Sequence, residues 1–126
     1  MMKTILLVED DSFISDVYAI RFRKEGFHFD IARDGQTAVE KIKSSHPNVI
    51  LLDIDLPKMN GVEVLNMLRS DPGTQDIKVI IFSNYRDEDI NKKYGVRVAE
   101  LGVIKNFLKI ETTPEEVVSY IKKIIV

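Results

Sequence analysis

The sequence predicts a single α/β domain over residues 1–126, with a central parallel sheet of five strands and helices on both faces. Three observations carry this. Short apolar runs of strand length, such as Ile5-Leu6-Leu7-Val8 and Val49-Ile50-Leu51-Leu52, alternate along the whole chain with apolar stripes at helical spacing. Turn formers such as Asp34-Gly35 and Asp71-Pro72-Gly73 punctuate the alternation. Two of the apolar runs end in acids, at Glu9-Asp10-Asp11 and at Asp53-Ile54-Asp55. In an open parallel sheet the carboxyl ends of the strands form the edge where ligands bind.

Each element has its own signal. After the first strand, Phe13, Ile14, Val17, Tyr18 and Ile20 predict the buried stripe of a helix that Gly26 stops. Phe27-His28-Phe29-Asp30-Ile31 alternates apolar with polar, as a half-exposed strand does. Asp34 is the expected N-cap of a short helix carrying Ala38 and Ile42. The third strand runs from Val49 to Asp53, and a helix over Gly61 to Arg69 buries Val64, Leu65 and Leu68. Strand four is Ile77 to Phe82 and ends at Ser83-Asn84. Ile90, Tyr94, Val98 and Leu101 mark the following helix, with Gly95 inside it as a weakness of roughly 1 kcal/mol relative to alanine. Strand five, Val103 to Leu108, is interrupted by Lys105-Asn106 and ends at Lys109. Thr113-Pro114-Glu115-Glu116 is a capping box with proline at its first position, opening a helix whose apolar face is Val117, Val118, Ile121, Ile124 and Ile125.

Strands one, three and four are almost wholly apolar, so they belong in the middle of the sheet. Strands two and five carry polar residues and belong at its edges. With right-handed crossovers the economical order is 2-1-3-4-5, a flavodoxin-like arrangement with its site at the junction of strands one and three. Asp10 and Asp53 then end neighbouring strands, with Ser83 and Lys109 at the tips of strands four and five.

Composition narrows the function. The chain has 126 residues, 18 Lys and Arg against 20 Asp and Glu, a net charge of −2 and no cysteine. The balance gives no broad positive surface for nucleic acid. Absence of cysteine excludes thiolate catalysis, disulfides and Cys-ligated zinc, and it suits a cytoplasmic location. The apolar runs are strand-length, so neither a signal peptide nor a membrane span is expected.

With Leu7-Val8-Glu9-Asp10-Asp11, Asp53 followed by Pro57 and Gly61, Ser83 after an apolar strand, and Lys109 seven residues after Gly102, the chain resembles a receiver domain of the two-component response regulators. The resemblance implies that Asp53 accepts a phosphoryl group and that Mg²⁺ is held by Asp10, Asp53 and the backbone carbonyl of Asp55, with Glu9 holding a water. It also implies that Ser83 and Lys109 contact the phosphoryl oxygens. Magnesium suits such a site, since it takes oxygen ligands and keeps waters. The implied partners are a sensor histidine kinase or phosphotransfer protein upstream. Downstream they are a protein target in trans, or an effector domain if the chain is a fragment. The chain would act as a monomer or a phosphorylation-dependent dimer, with output through the surface of the fourth helix, fifth strand and last helix. The implied role is signalling rather than metabolic catalysis.

Plainer readings stand beside these. A strand-end aspartate is often a turn former, acids in a first helical turn favour the dipole, Ser83 can be a loop residue and Lys109 a solvated lysine. Joint placement at one sheet edge favours the site. The chain departs from the family at Ile110, where receivers usually carry a proline, and at Asn106, where many carry an aromatic. A non-proline cis bond after Lys109 costs about 3 kcal/mol or more, which leaves a trans peptide with an altered loop or a strained one. Phe107 can stand in for the aromatic only if the strand is shifted. Tyr85, two residues past Ser83, has the bulk to hinder water. Two alternatives remain: a receiver-like interaction module acting without phosphorylation, and a phosphatase resembling the haloacid dehalogenases through Asp53-Ile54-Asp55. The latter lacks the downstream acidic motif.

Overall fold

The computed structural model describes residues 3–125. The elements in chain order are β1 (Thr4–Val8), α1 (Ser12–Lys24), β2 (His28–Ala32), α2 (Gly35–Ser45), β3 (Val49–Leu52), α3 (Gly61–Ser70), β4 (Lys78–Ser83), α4 (Asp87–Tyr94), β5 (Val103–Leu108) and α5 (Pro114–Ile124). Two 3₁₀ turns, Val98–Leu101 and Lys109–Glu111, flank β5. All strand pairs are parallel, and the sheet order is β2-β1-β3-β4-β5, as the apolar character of the strands predicts.

Alternation along the central strands builds two cores. Leu6, Val8, Ile50, Leu52 and Ile81 face α2, α3 and α4, where Ile42, Leu65 and Ile90 meet them. Ile5, Leu7, Leu51, Ile80 and Phe82 face α1 and α5, against Tyr18, Phe22, Val117 and Ile121. Each fully buried aliphatic or aromatic side chain contributes roughly 1.5–3 kcal/mol. Both faces of the sheet are therefore covered, and polar groups gather at the strand ends. Among the described residues no helix is long and apolar enough to cross a membrane.

Two local expectations are corrected, and β5 adds an irregularity. In α1 the buried residues are Ser15, Tyr18, Ala19 and Phe22, while Phe13 and Ile20 are 75% and 63% exposed. Ser15 can sit inside because its hydroxyl donates to the Ser12 carbonyl and accepts from Arg33. Gly95 does not lie within a helix: with φ +66° it is the left-handed C-cap that ends α4, and the segment resumes as the 3₁₀ turn Val98–Leu101. In β5 the pairing slips after Val79↔Val103, so that Ile80 faces Lys105, and Ile104 is left 42% exposed.

Capping agrees with the sequence. Asp34 accepts from the Thr37 amide, and Thr113 and Glu116 form the reciprocal box at the start of α5.

Candidate functional site

Parallel register delivers the site. Val8 and Leu52 are partners at the ends of β1 and β3, so the next residues, Glu9 and Asp53, leave the sheet side by side. The Asp53 amide donates to the Val8 carbonyl at 3.0 Å, and the Glu9 amide to the Ala32 carbonyl at 2.9 Å, which extends the ladder to both acids. The acid triplet divides its labour. Glu9 is fully buried, Asp10 is exposed, and Asp11 caps α1 by accepting from the Phe13 and Ile14 amides at 2.9 and 3.2 Å.

Lys109 comes from the end of the edge strand and reaches across the tip of β4. Its Nζ lies 2.6 Å from Glu9 Oε1 and 2.9 Å from Asp53 Oδ2, and 5.5 Å from the centre of the Phe82 ring. The other Asp53 oxygen, Oδ1, accepts from the amides of Ile54 at 2.8 Å and Asp55 at 3.4 Å. Glu9 Oε2 accepts from the Asp11 amide at 3.2 Å. Carboxylate oxygens of Glu9, Asp10 and Asp53 all lie within 4.8 Å of one another. Two of these acids, Glu9 and Asp53, thus share one lysine, and the oxygen-only donor set of the three fits a hard divalent cation.

Electrostatics record the crowding. Burial pushes Glu9 up to about 7, against the hydrogen bond from Lys109 and with the help of the Asp53 charge. Asp53 is also raised by burial, with Lys109 opposing. Burial disfavours the Lys109 charge, but hydrogen bonds to Glu9 and Asp53 outweigh it and raise that pKa.

The acids open into a cavity of about 320 Å³ lined by Glu9, Asp10, Asp11, Ile14, Asp53, Asp55, Asn84, Tyr85 and Lys109. Four residues singled out from sequence, Glu9, Asp10, Asp53 and Lys109, are brought together, and Asp55 joins them in the wall. Ser83 is not brought in. It is fully buried, and its hydroxyl accepts from the Tyr85 amide at 3.1 Å and donates to the Tyr85 carbonyl at 3.4 Å. Asn84 and Ile14 are wall residues that sequence reasoning passed over. Asn84 has a signal, since it follows a strand tip on the same edge; Ile14 reads only as one apolar residue of a stripe.

Gly61 permits close packing beneath the site. A Cβ there would lie 2.3 Å from the Asp53 carbonyl oxygen and 2.8 Å from Ile54 Cα. Its amide donates to the Ile54 carbonyl at 2.8 Å.

The two departures also resolve. No described peptide is cis. Lys109-Ile110 is therefore trans, in a 3₁₀ turn that leaves Ile110 80% exposed. Phe107 does not stand in for the missing aromatic: it packs edge-on against Tyr120 in the core shared with α1 and α5. Asn106 Nδ2 instead donates to the Tyr85 carbonyl at 3.0 Å and to Asp87 Oδ1 at 2.8 Å.

Comparison with known proteins agrees with this geometry. The family model for the response regulator receiver domain matches residues 5–122. The sensory transduction protein RegX3 of Mycolicibacterium smegmatis is 33% identical over 97 residues, which are 77% of this chain and 41% of that protein. The chain thus spans about two fifths of the length of that curated relative. A CheY-like receiver domain protein of Methanospirillum hungatei JF-1 superposes with a TM-score of 0.82 at 28% identity, covering 98% of this chain and 93% of that one. The receiver domain of a sensor histidine kinase from Pseudomonas aeruginosa PAO1, whose active-site cleft holds a coordinated magnesium ion, shares the fold with a TM-score of 0.83 at 20% identity, over 98% of this chain and 97% of that one. The chain belongs to the response regulator receiver domains of two-component signalling systems.

Proposed function

We propose that this chain is a phosphorylation-controlled switch in which Asp53 is the phosphoryl acceptor. The observation that carries the reading is the Asp53 carboxylate, 2.9 Å from Lys109 and clustered with the carboxylates of Glu9 and Asp10 at the mouth of one cavity. An Asp53 oxygen bonds to phosphorus in line with the donor. The donor's bond to phosphorus breaks, and its electron pair leaves on the donor group, giving an acyl phosphate. Lys109 is placed to neutralise a phosphoryl oxygen, and transfer of this kind depends on such positioning and charge stabilisation.

Asp10 and Asp53, the Asp55 carbonyl and waters, one of them on Glu9, would hold Mg²⁺. The ion's contribution when bound is to offset the negative charge shared by the acids and the incoming phosphate. Ser83 serves by leaving Tyr85 and turning its hydroxyl to a phosphoryl oxygen. That movement draws the loop after β4 inward and alters the α4-β5-α5 surface, which is the output. The donor is a sensor histidine kinase or phosphotransfer protein. The reader is a downstream protein in trans or an effector domain of the same chain, with dimerisation as one available form of output.

Intact-mass measurement after incubation with acetyl phosphate and Mg²⁺ tests the reading. Wild type gains one phosphoryl group, and Asp53→Asn gains none. An unmodified wild type, or an equally modified Asp53→Asn, refutes it, and the former outcome favours an interaction module that works without phosphorylation.

A further inference from the structure

The first turn of α2 is built against the loop that leaves β3. Gly35 opens that helix and is buried. A Cβ added to it would lie 1.9 Å from the Met59 carbonyl oxygen, 2.6 Å from the carbonyl carbon and 2.8 Å from Met59 Cβ. The two nearest of these atoms are backbone, so no side chain fits unless the turn at 57–59 retreats. Polar contacts cross the same joint. The Pro57 carbonyl accepts from the Gly35 amide at 3.5 Å and from the Met59 amide at 2.8 Å, and Lys58 Nζ lies 3.8 Å from Asp34 Oδ2. Lys58 holds φ +66°, so the turn between Pro57 and Met59 is tight.

This joint adjoins the segment that shapes the acid cavity. Ile54 is fully buried and Leu56 nearly so, whereas Asp55 between them is exposed and lines the cavity. The Asp55 amide donates to Asp53 Oδ1 at 3.4 Å, and the Leu56 amide to the Ile54 carbonyl at 3.1 Å. Asp53 and Asp55 therefore ride on one loop, held by β3 at its start and by the first turn of α2 beyond Leu56.

We propose that Gly35 is a positioning residue for the divalent cation: by letting Met59 rest on the first turn of α2, it holds residues 54–56 where the Asp55 carbonyl can serve as a ligand. The proposal rests on the phosphoacceptor reading above and on its ion-binding residues. Magnesium demands near-octahedral geometry, and residues behind a metal's ligands set its affinity by orienting them. Bringing the 1.9 Å approach up to the 3.4 Å of ordinary contact moves the turn by far more than the roughly 0.5 Å within which a site must be held. The coupling is reciprocal. An ion at the acid cluster steadies the joint with α2, and a partner that shifts α2 changes how tightly the ion is held.

Magnesium titration of the full chain, followed by the NMR shifts of the Asp53, Ile54 and Asp55 amides, tests this. Gly35→Ala should bind Mg²⁺ about ten- to hundredfold more weakly than wild type. Ile42→Val loosens the buried face of the same helix about two turns further along, and it should keep wild-type affinity despite its lower stability. Hydrogen exchange on wild type alone supplies a second measure. Saturating Mg²⁺ should slow the Gly35 and Met59 amides about fivefold or more and leave the Gly26 amide, bonded to the Arg23 carbonyl at the far end of α1, unchanged. An equal loss of affinity in Ile42→Val, or unaltered exchange at Gly35 and Met59, would overturn the proposal. If Gly35→Ala fails to fold, the exchange measurement decides alone. If wild type shows no Mg²⁺-dependent shifts around Asp53, the ion-binding reading falls and takes this inference with it. If wild type binds the ion and Gly35→Ala binds it equally well, this inference alone falls.

Discussion

Without divalent ions, raising the pH should weaken the fold through Glu9. Burial lifts this carboxyl from an ordinary 4.5 to about 7. Between those values the folded chain holds a proton that the unfolded chain has released, so stability is full below pH 4.5 and is lost as the pH rises through 7. At 1.36 kcal/mol per pKa unit, the window is worth on the order of 3 kcal/mol. Asp53, also raised by burial, adds loss of the same sign. Glu25, Asp30 and Asp34 are held below their ordinary values, so their opposite contribution falls at more acid pH and leaves this window clear. The perturbation is Glu9→Gln, which keeps the shape and removes the titration. Urea denaturation in EDTA at several pH values from 4.5 to 8 should give a wild-type stability that drops about 3 kcal/mol more than that of the variant. Millimolar Mg²⁺ should flatten the wild-type curve, since an ion bound only by the folded, ionised site stabilises by mass action. Parallel curves for wild type and Glu9→Gln would refute the electrostatic account of the site.

Three further substitutions probe what positions that site. Gly61→Ala drives a methyl group into the backbone of Asp53 and Ile54; overpacking of this kind costs about 1–3 kcal/mol, read in the urea midpoint, and should slow phosphorylation by displacing Asp53. Gly95→Ala should destabilise by about 1 kcal/mol, because the helix ends there at φ +66°; a stabilised variant would return Gly95 to the helix interior that the sequence suggests. Arg69→Leu should cost about 2–3 kcal/mol with an unchanged denaturant slope. Its guanidinium donates to the carbonyls of Gln75, Ile77, Leu101 and Gly102 and so pins the start of β5 to the end of α3.

Legibility followed the range of the forces involved. The central strands could be read because their apolar runs have no other use, and strand order followed from which runs carry polar residues. The helix caps at Asp34 and Thr113 are local hydrogen-bond motifs, so a few residues specify them. The buried face of α1 was misread for the opposite reason. Hydrophobic periodicity weighs Phe13 and Ile20 as core, whereas burial of Ser15 depends on Arg33, a distant residue that satisfies its hydroxyl. Gly95 reads equally as a weak helical residue or as a cap, and only tertiary packing of the Val98–Leu101 turn decides between them. The acids and Lys109 were legible as strand-end residues. Their pairing distances, the turn of Ser83 toward Tyr85, and the reach of Asn106 to the same tyrosine depend on side-chain directions across three elements, and no local pattern encodes them.

The central claim is that the carboxylate of Asp53 carries the phosphoryl group. Borohydride reduction of the protein treated with acetyl phosphate and Mg²⁺, followed by peptide mass mapping, tests it at the level of the residue. The account predicts conversion of residue 53 to homoserine and of no other acid. Reduction at Asp10, Asp11 or Asp55 instead, or no reduced residue in a fully folded sample, would contradict it.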